Sequence, residues 1–202
     1  ETDFFETINS VKENFNIDTT RLYLTGSCSG GFKALELATR YPHMFAAIGL
    51  ISPVFKKNYS NESLLILNEP YNFMKNISNI PVYILHSSVD IHTPVISSDE
   101  FVEEAKGYNM RNIHYYRTDR ILDMYYWEQH SDSVAEFITK YSLSSQPGNI
   151  SFSTNQLKYN TAYWFKIIDK ADSIAEVEVK SNSDNTINIL TQNVNSFELD
   201  LE

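Results

Sequence analysis

Apolar residues recur at three-to-four spacing at Phe4, Ile8, Val11 and Phe15, which marks one face of an opening helix. The period then changes. Arg21 to Thr25 predicts a strand, Gly26 to Gly31 a tight turn, and Ala34, Leu35, Leu37 and Ala38 a helix. Tyr41-Pro42 ends that helix, because proline disfavours a helical predecessor. Ala46 to Ile51, Val82 to Leu85 and Ile113 to Tyr116 are short apolar runs of the kind buried on both faces of a parallel sheet. Ser98 is placed to cap a helix carrying Phe101, Val102 and Ala105, and Ser131 one carrying Val134, Phe137, Ile138 and Tyr141. Strands alternating with helices over residues 1–142 predict an α/β layer architecture.

After Tyr141 the pattern changes again. Ser142 to Gly148 has the composition of a linker, and beyond it Ala175, Val177 and Val179 alternate with Glu176, Glu178 and Lys180 at period two. Ile150 to Ser153, Tyr163 to Ile168, Ile174 to Lys180, Ile187 to Leu190 and Phe197 to Leu201 predict about five strands, with a hairpin turn at Asn182 to Asn185. Residues 143–202 are therefore expected to form a small antiparallel, sandwich-like all-β domain. No internal repeat or low-complexity segment alters this division.

The 202 residues are 42% hydrophobic and 13% aromatic, enough for a real core. Sixteen Lys and Arg against 26 Asp and Glu leave a net charge of −10, which repels phosphate backbones and anionic lipid, so neither nucleic acid nor a membrane surface is an expected partner. The longest apolar stretch, Met44 to Ile51, is far short of the roughly 20 residues of a membrane-spanning helix, and a soluble chain is expected. It begins Glu1-Thr2-Asp3 with no basic or apolar leader, so a signal peptide is absent, removed or outside this stretch. The compartment is left open, secretion or a periplasmic location of a full-length parent included. Asn-x-Ser triplets at Asn58, Asn61, Asn76 and Asn149 are what an Asn- and Ser-rich chain makes by chance, and glycosylation is not expected.

The single cysteine, Cys28, excludes an internal disulfide and a multi-thiolate metal site. No two histidines have the four-residue spacing of a zinc protease, so no metal and no cofactor are expected. Cys28 instead lies at the centre of Gly26-Ser27-Cys28-Ser29-Gly30-Gly31, a turn that follows a strand and opens a helix, the context of a nucleophile elbow. An elbow strains the backbone at the nucleophile and requires small residues two before and two after it, and Gly26 and Gly30 fit. A centre at Ser29, flanked by Ser27 and Gly31, is also sterically possible, and a free cysteine is often a small buried hydrophobe.

A thiol ionises more readily than a hydroxyl and gains further from a helix N-terminus. In this hydrolase arrangement an acid and then a histidine follow the nucleophile in the chain, an order met by Asp90 and His130. Asp90 follows the strand ending at Leu85, where a parallel sheet presents loop residues at its carboxyl edge. A solvated loop aspartate is the alternative. His130 lies in Trp127-Glu128-Gln129-His130-Ser131, read as a loop that can swing over the elbow; a surface histidine is the alternative. His43, His86, His92 and His114 have no better order or placement.

These residues resemble the α/β-hydrolase superfamily, in particular its prolyl-oligopeptidase-like and esterase-like bacterial members. Asn16-Ile17-Asp18 leading to Arg21-Leu22-Tyr23-Leu24-Thr25-Gly26 and the Gly30-Gly31 pair resemble the segment entering their elbow. Arg40-Tyr41-Pro42 to Phe45-Ala46-Ala47 resembles the turn after it, Leu85-His86 to Asp90 with Thr93-Pro94-Val95 their acid loop, and His130 their histidine. The tail from Ile150 through Tyr159-Asn160 and Ala162-Tyr163-Trp164 to Asn193 and Phe197 resembles a β-domain appended to some of them. The resemblance implies the C-terminal part of a doubly wound, mostly parallel catalytic domain with its first strands missing. It also implies a hydrolase of ester or peptide substrates in which Cys28 attacks, His130 shuttles the proton, Asp90 orients His130 and the Ser29 backbone N–H holds the oxyanion.

Two departures are visible. The family usually has Ser where this chain has Cys28, although dienelactone-hydrolase-like relatives use Cys, and the loop that supplies a second oxyanion donor belongs to strands preceding the elbow. The open edge of the first strand is expected to associate, with another copy or with a missing N-terminal segment. The rival reading is a non-catalytic binding or structural module on a hydrolase scaffold, or an inactive fragment, with Tyr125, Tyr126 and Trp127 lining a pocket for glycan or protein.

Overall fold

A computed structural model describes residues 2–55, 70–108, 110, 112–120 and 124–201, with backbone alone at residues 2 and 124–130. Helix α1 (Thr2–Asn14) leads through a 3-10 turn capped by Asp18 into strand β1 (Tyr23–Ser27). Helix α2 (Ser29–Arg40), strand β2 (Ala47–Ile51), a 3-10 segment (Pro70–Ile77) and strand β3 (Val82–Ser87) follow, then helix α3 (Ile96–Gly107), strand β4 (Ile113–Thr118) and helix α4 (Met124–Ile138). The four strands form one parallel sheet in the order β1-β2-β3-β4.

Burial on both faces of this sheet follows from the alternation of side chains along each strand. Leu24, Ile48, Leu50, Val82 and Ile84 point to one face, under Leu35, Ala38, Phe101 and Ala105 of α2 and α3. Ala47, Ile51, Tyr83 and Leu85 point to the other, under Val134 and Ile138 of α4. The sheet is thus doubly wound. Gly49 lies between them because a Cβ there would stand 2.4 Å from Val134 Cγ1. The opening helix is less embedded than its periodicity predicts: Phe4 and Phe5 pack against Phe45 and Tyr41, whereas Phe15 is 67% exposed.

Both serine caps are displaced. α3 begins two residues before Ser98, whose hydroxyl is committed to His86, and α4 begins seven residues before Ser131. Cap preference is a weak signal beside the anchoring of Phe101 and of Val134 and Ile138 in the cores. The segment Pro70–Ile77, with Tyr71, Phe73, Met74 and Ile77 buried against α2, has no periodic signature in the sequence.

The remaining strands are β5 (Asn149–Thr154), β6 (Thr161–Ala162), β7 (Phe165–Lys170), β8 (Ala175–Ser181), β9 (Ile187–Gln192) and β10 (Val194–Leu199). They form two antiparallel three-stranded sheets, β5-β8-β9 and β10-β7-β6, closed over Ile150, Phe152, Trp164, Phe165, Ile167, Val177 and Val179. β7 starts two residues later than predicted, after Tyr163, whose φ of 56° cannot continue a strand. The Asn182 to Asn185 turn is present, with Asn185 at φ 61°.

Asn76 joins the two kinds of sheet. Its amide donates to Thr39 O (2.8 Å) and Ser153 O (2.9 Å) and accepts from Ser153 N–H (2.7 Å) at a site 3% exposed, which leaves no place for a glycan on that triplet. Arg40 bridges the same seam, paired with Glu36 at 2.7 Å and lying 4.5 Å over the Tyr159 ring. An Asn76→Ala variant strands several buried backbone groups, each worth about 1–3 kcal/mol when unsatisfied. A urea titration of the variant is expected to show a lowered midpoint equivalent to a stability loss within or above that range, and an unchanged midpoint would remove Asn76 as the joint.

Candidate active site

The elbow is present. Between β1 and α2, Cys28 takes φ 51° and ψ −118°, a region that L-residues occupy only when their surroundings force it. The force is a set of backbone bonds: Cys28 N–H donates to Ile51 O (3.0 Å), while Cys28 O accepts from Phe32 N–H and Val54 N–H (both 3.2 Å). A Cβ at Gly26 would lie 2.3 Å from the carbonyl carbon and oxygen of Gly30, so the chain can double back only with glycine there.

The second small position is not the one expected. A Cβ at Gly30 meets nothing within 4 Å, whereas one at Gly31 would lie 2.9 Å from Pro53 Cβ. Gly30 contributes its bare backbone to Gly26; Gly31 is the residue that must itself be small. Cys28 is exposed, which corrects the alternative of a buried core cysteine. The N–H groups of Ser29, Gly30 and Gly31 precede the first intrahelical bond of α2, from Phe32 N–H to Cys28 O.

Asp90 lies where the sheet predicts, three residues past the end of β3, and its loop is folded around a histidine. His86 is fully buried; its Nε2–H donates to Thr93 O (2.9 Å), so a neutral ring has Nδ1 free to accept from Ser98 Oγ–H (2.6 Å). Burial holds the His86 imidazole below its ordinary value, against the upward pull of the Thr93 carbonyl and of Asp90, 3.7 Å from Nε2. Partial burial pushes Asp90 up, but the N–H groups of Thr93 (2.9 Å) and His92 (2.8 Å), with the Ser52 hydroxyl and His86, hold the carboxyl below its ordinary value. The loop reaches the elbow through Thr93, whose Oγ1 lies 4.0 Å from Cys28 Sγ.

His130 is placed differently from its sequence reading. Residue 130 belongs to the helical backbone of α4 rather than to a loop before a helix, and its side chain, like those of Tyr125, Tyr126 and Trp127, lies outside the described residues. The elbow and the acid loop are therefore brought together at the carboxyl ends of β1 and β3. His86, Ser98 and Thr93 hold that arrangement, whereas the sequence reading gives Ser98 as a helix cap and His86 and Thr93 only as parts of the acid loop. The spacing His86-x-x-x-Asp90 was visible, but nothing local says that Ser98 turns to a histidine rather than caps its own helix.

A model of the family Esterase PHB depolymerase matches residues 3–97, the stretch holding the elbow and the acid loop. Among the curated proteins none matches the chain. Among solved structures, a thermostable esterase superposes with a TM-score of 0.54 at 19% identity, over 70% of this chain and 36% of its own. A fluorophosphonate-binding serine hydrolase of Staphylococcus aureus gives 0.54 at 16% identity, over 68% and 62%, and a ferulic acid esterase 0.52 at 15%, over 67% and 58%. The chain thus spans from about a third to three fifths of the length of these structures. Its fold is that of the α/β-hydrolases, with the separate antiparallel sheets after it. Among the described residues no helix is long and apolar enough to cross a membrane.

Two outcomes test this geometry. Gly26→Ala is expected to abolish the cooperative melt, while Gly30→Ala, in an open helical position, leaves it unchanged or raises stability by about 0.5–1 kcal/mol. Equal effects at the two sites would show that the close approach is not what shapes the turn. The second concerns pH. Burial also holds His43 below its ordinary value, so the unfolded chain takes up protons near pH 6.5 at His43 and His86 that the folded chain refuses. Stability is full above that pH and lost as pH falls below it, Asp90 adding its loss only below the ordinary 3.8 of an aspartate. The urea midpoint should drop between pH 7 and 5, less steeply in His86→Gln, and a flat profile would contradict the neutral buried ring.

Proposed function

We propose that the chain is part of a hydrolase that cleaves ester bonds by covalent catalysis, with Cys28 as the nucleophile. The observation that carries this reading is the strained, exposed Cys28 at the elbow, facing an acid loop pinned by His86. Support comes from the esterase family model over residues 3–97 and from the esterases and serine hydrolase that share the fold.

In this mechanism the Cys28 sulfur attacks the ester carbonyl carbon while His130 takes the thiol proton, and the carbonyl oxygen becomes an oxyanion held by Ser29 N–H at the start of α2. Collapse breaks the carbon–oxygen bond, the alcohol leaves with the proton from His130, and a thioester remains on Cys28. Water, deprotonated by His130, then attacks the thioester, releasing the carboxylic acid and restoring the thiol. Asp90 orients His130 and offsets its charge, a role suited to a carboxyl that stays ionised. Peptide bonds are a second substrate class open to the same steps.

The test is turnover of an activated aryl acetate by the full-length parent enzyme, with intact-mass measurement of the acyl adduct. Cys28→Ala is expected to lose the adduct and at least 1,000-fold in turnover, the scale on which a lost nucleophile is felt. His130→Ala is expected to acylate and deacylate slowly. Full turnover in Cys28→Ala overturns the assignment of Cys28 as the nucleophile.

A further inference from the structure

The two antiparallel sheets end in four edge strands, and three of them are blocked. β5 is covered by amide side chains: Asn76 pairs with both backbone groups of Ser153, and Asn79 Nδ2 donates to Asn149 O at 2.8 Å. β6 is covered by His43, whose Nδ1–H donates to Thr161 O at 3.0 Å. β10 is irregular, with register shifts against β7 on both sides of Ser196, and carries Glu198. Bulges, charges and covering groups of this kind keep sheet edges from pairing with other chains.

β9 has none of these. It pairs with β8 in unbroken register from Ile187 to Gln192, and no residue from Asn185 to Phe197 is charged, in a chain of net charge −10. The hairpin bond Asn182 N–H to Thr186 O (2.9 Å) sets the alternation of the ladder, so Asn188 and Leu190 bond inward to β8 and the backbone groups of Ile187, Ile189 and Thr191 point outward. Among the described residues no acceptor or donor meets them. Leu190 is 72% exposed on the outer face.

We infer that β9 is a docking edge for a second copy of this chain, paired antiparallel with its own counterpart about a twofold axis at Ile189. The sequence of the strand is self-complementary in that register. Ile189 faces the second Ile189, and Ile187 faces Thr191 in both directions, so three outward-pointing residues in each copy close six hydrogen bonds. Leu190 then stands opposite the other copy's Asn188 and diagonal to its Leu190, within reach across the pair. The occupant follows from charge. Two chains of this net charge repel least across a strand that carries no charge of its own. The result is a six-stranded sheet with a closed, isologous contact.

The test is light scattering on the 202-residue chain over a concentration series, beside Thr191→Pro and Leu190→Lys. The proline removes one outward N–H and spares the β8 ladder, and the lysine, opposite Glu178 of its own sheet, replaces the apolar Leu190 contact beside the axis with charged groups that pairing would have to desolvate, at a position too exposed to affect folding. Both leave the β1 edge untouched. The expected result is that at the highest concentration each variant has half the mass of the wild type, with an unchanged melt at low concentration. Equal masses in wild type and Leu190→Lys overturn the proposal, whatever the proline does to folding.

Discussion

The close approach of two backbone segments at Gly26 and Gly30 is the constraint on which the rest of the chain depends. With no Cβ on Gly26, β1 can turn into α2 within one residue, and the strain of that reversal falls on Cys28. Bonds from Cys28 to Ile51 and Val54 tie the turn to the end of β2, and Ser52 N–H in turn bonds Leu85 O at the end of β3. The carboxyl ends of the strands are thereby laced together before any side chain is considered. α2 leaves the turn already aligned over one face of the sheet, and Gly49 lets α4 settle on the other.

Around this frame, buried polar side chains do what backbone does elsewhere. Asn76 behaves as a strand neighbour to Ser153, His43 as a donor to Thr161, and His86 as the pin of the acid loop. Each satisfies carbonyls that burial would otherwise leave unpaired, which is why each is itself buried or nearly so. His86 accepts from Ser98 only while neutral, so the burial that depresses its protonation also preserves that bond. The same economy leaves β9 as the regular, uncharged edge of the two small sheets.

The nucleophile proposed at Cys28 suits this setting in physical terms. The elbow exposes Cys28, α2 begins at the next residue, and a thiol needs less assistance from a base than a hydroxyl does. Thr93, brought to 4.0 Å from the sulfur by the His86 bond, forms one wall of the site.

Local sequence was sufficient for the order of most elements, the Pro70–Ile77 segment and the two-residue β6 excepted, because period-two and period-3.6 burial, the Tyr41-Pro42 stop and the glycine turn are properties of a few neighbouring residues. It placed Cys28 at an elbow and Asp90 after a strand end for the same reason. What it could not decide depends on partners far along the chain. Gly31 rather than Gly30 must be small because of Pro53; Ser98 turns to His86 instead of capping α3; residue 130 lies within α4 because Val134 and Ile138 anchor that helix in the core. Asn76, one of several chance-like Asn-Ser triplets, becomes the joint to β5 only when Ser153 arrives 77 positions later. Contacts between residues so widely separated carry no local pattern, and only the packed chain selects them.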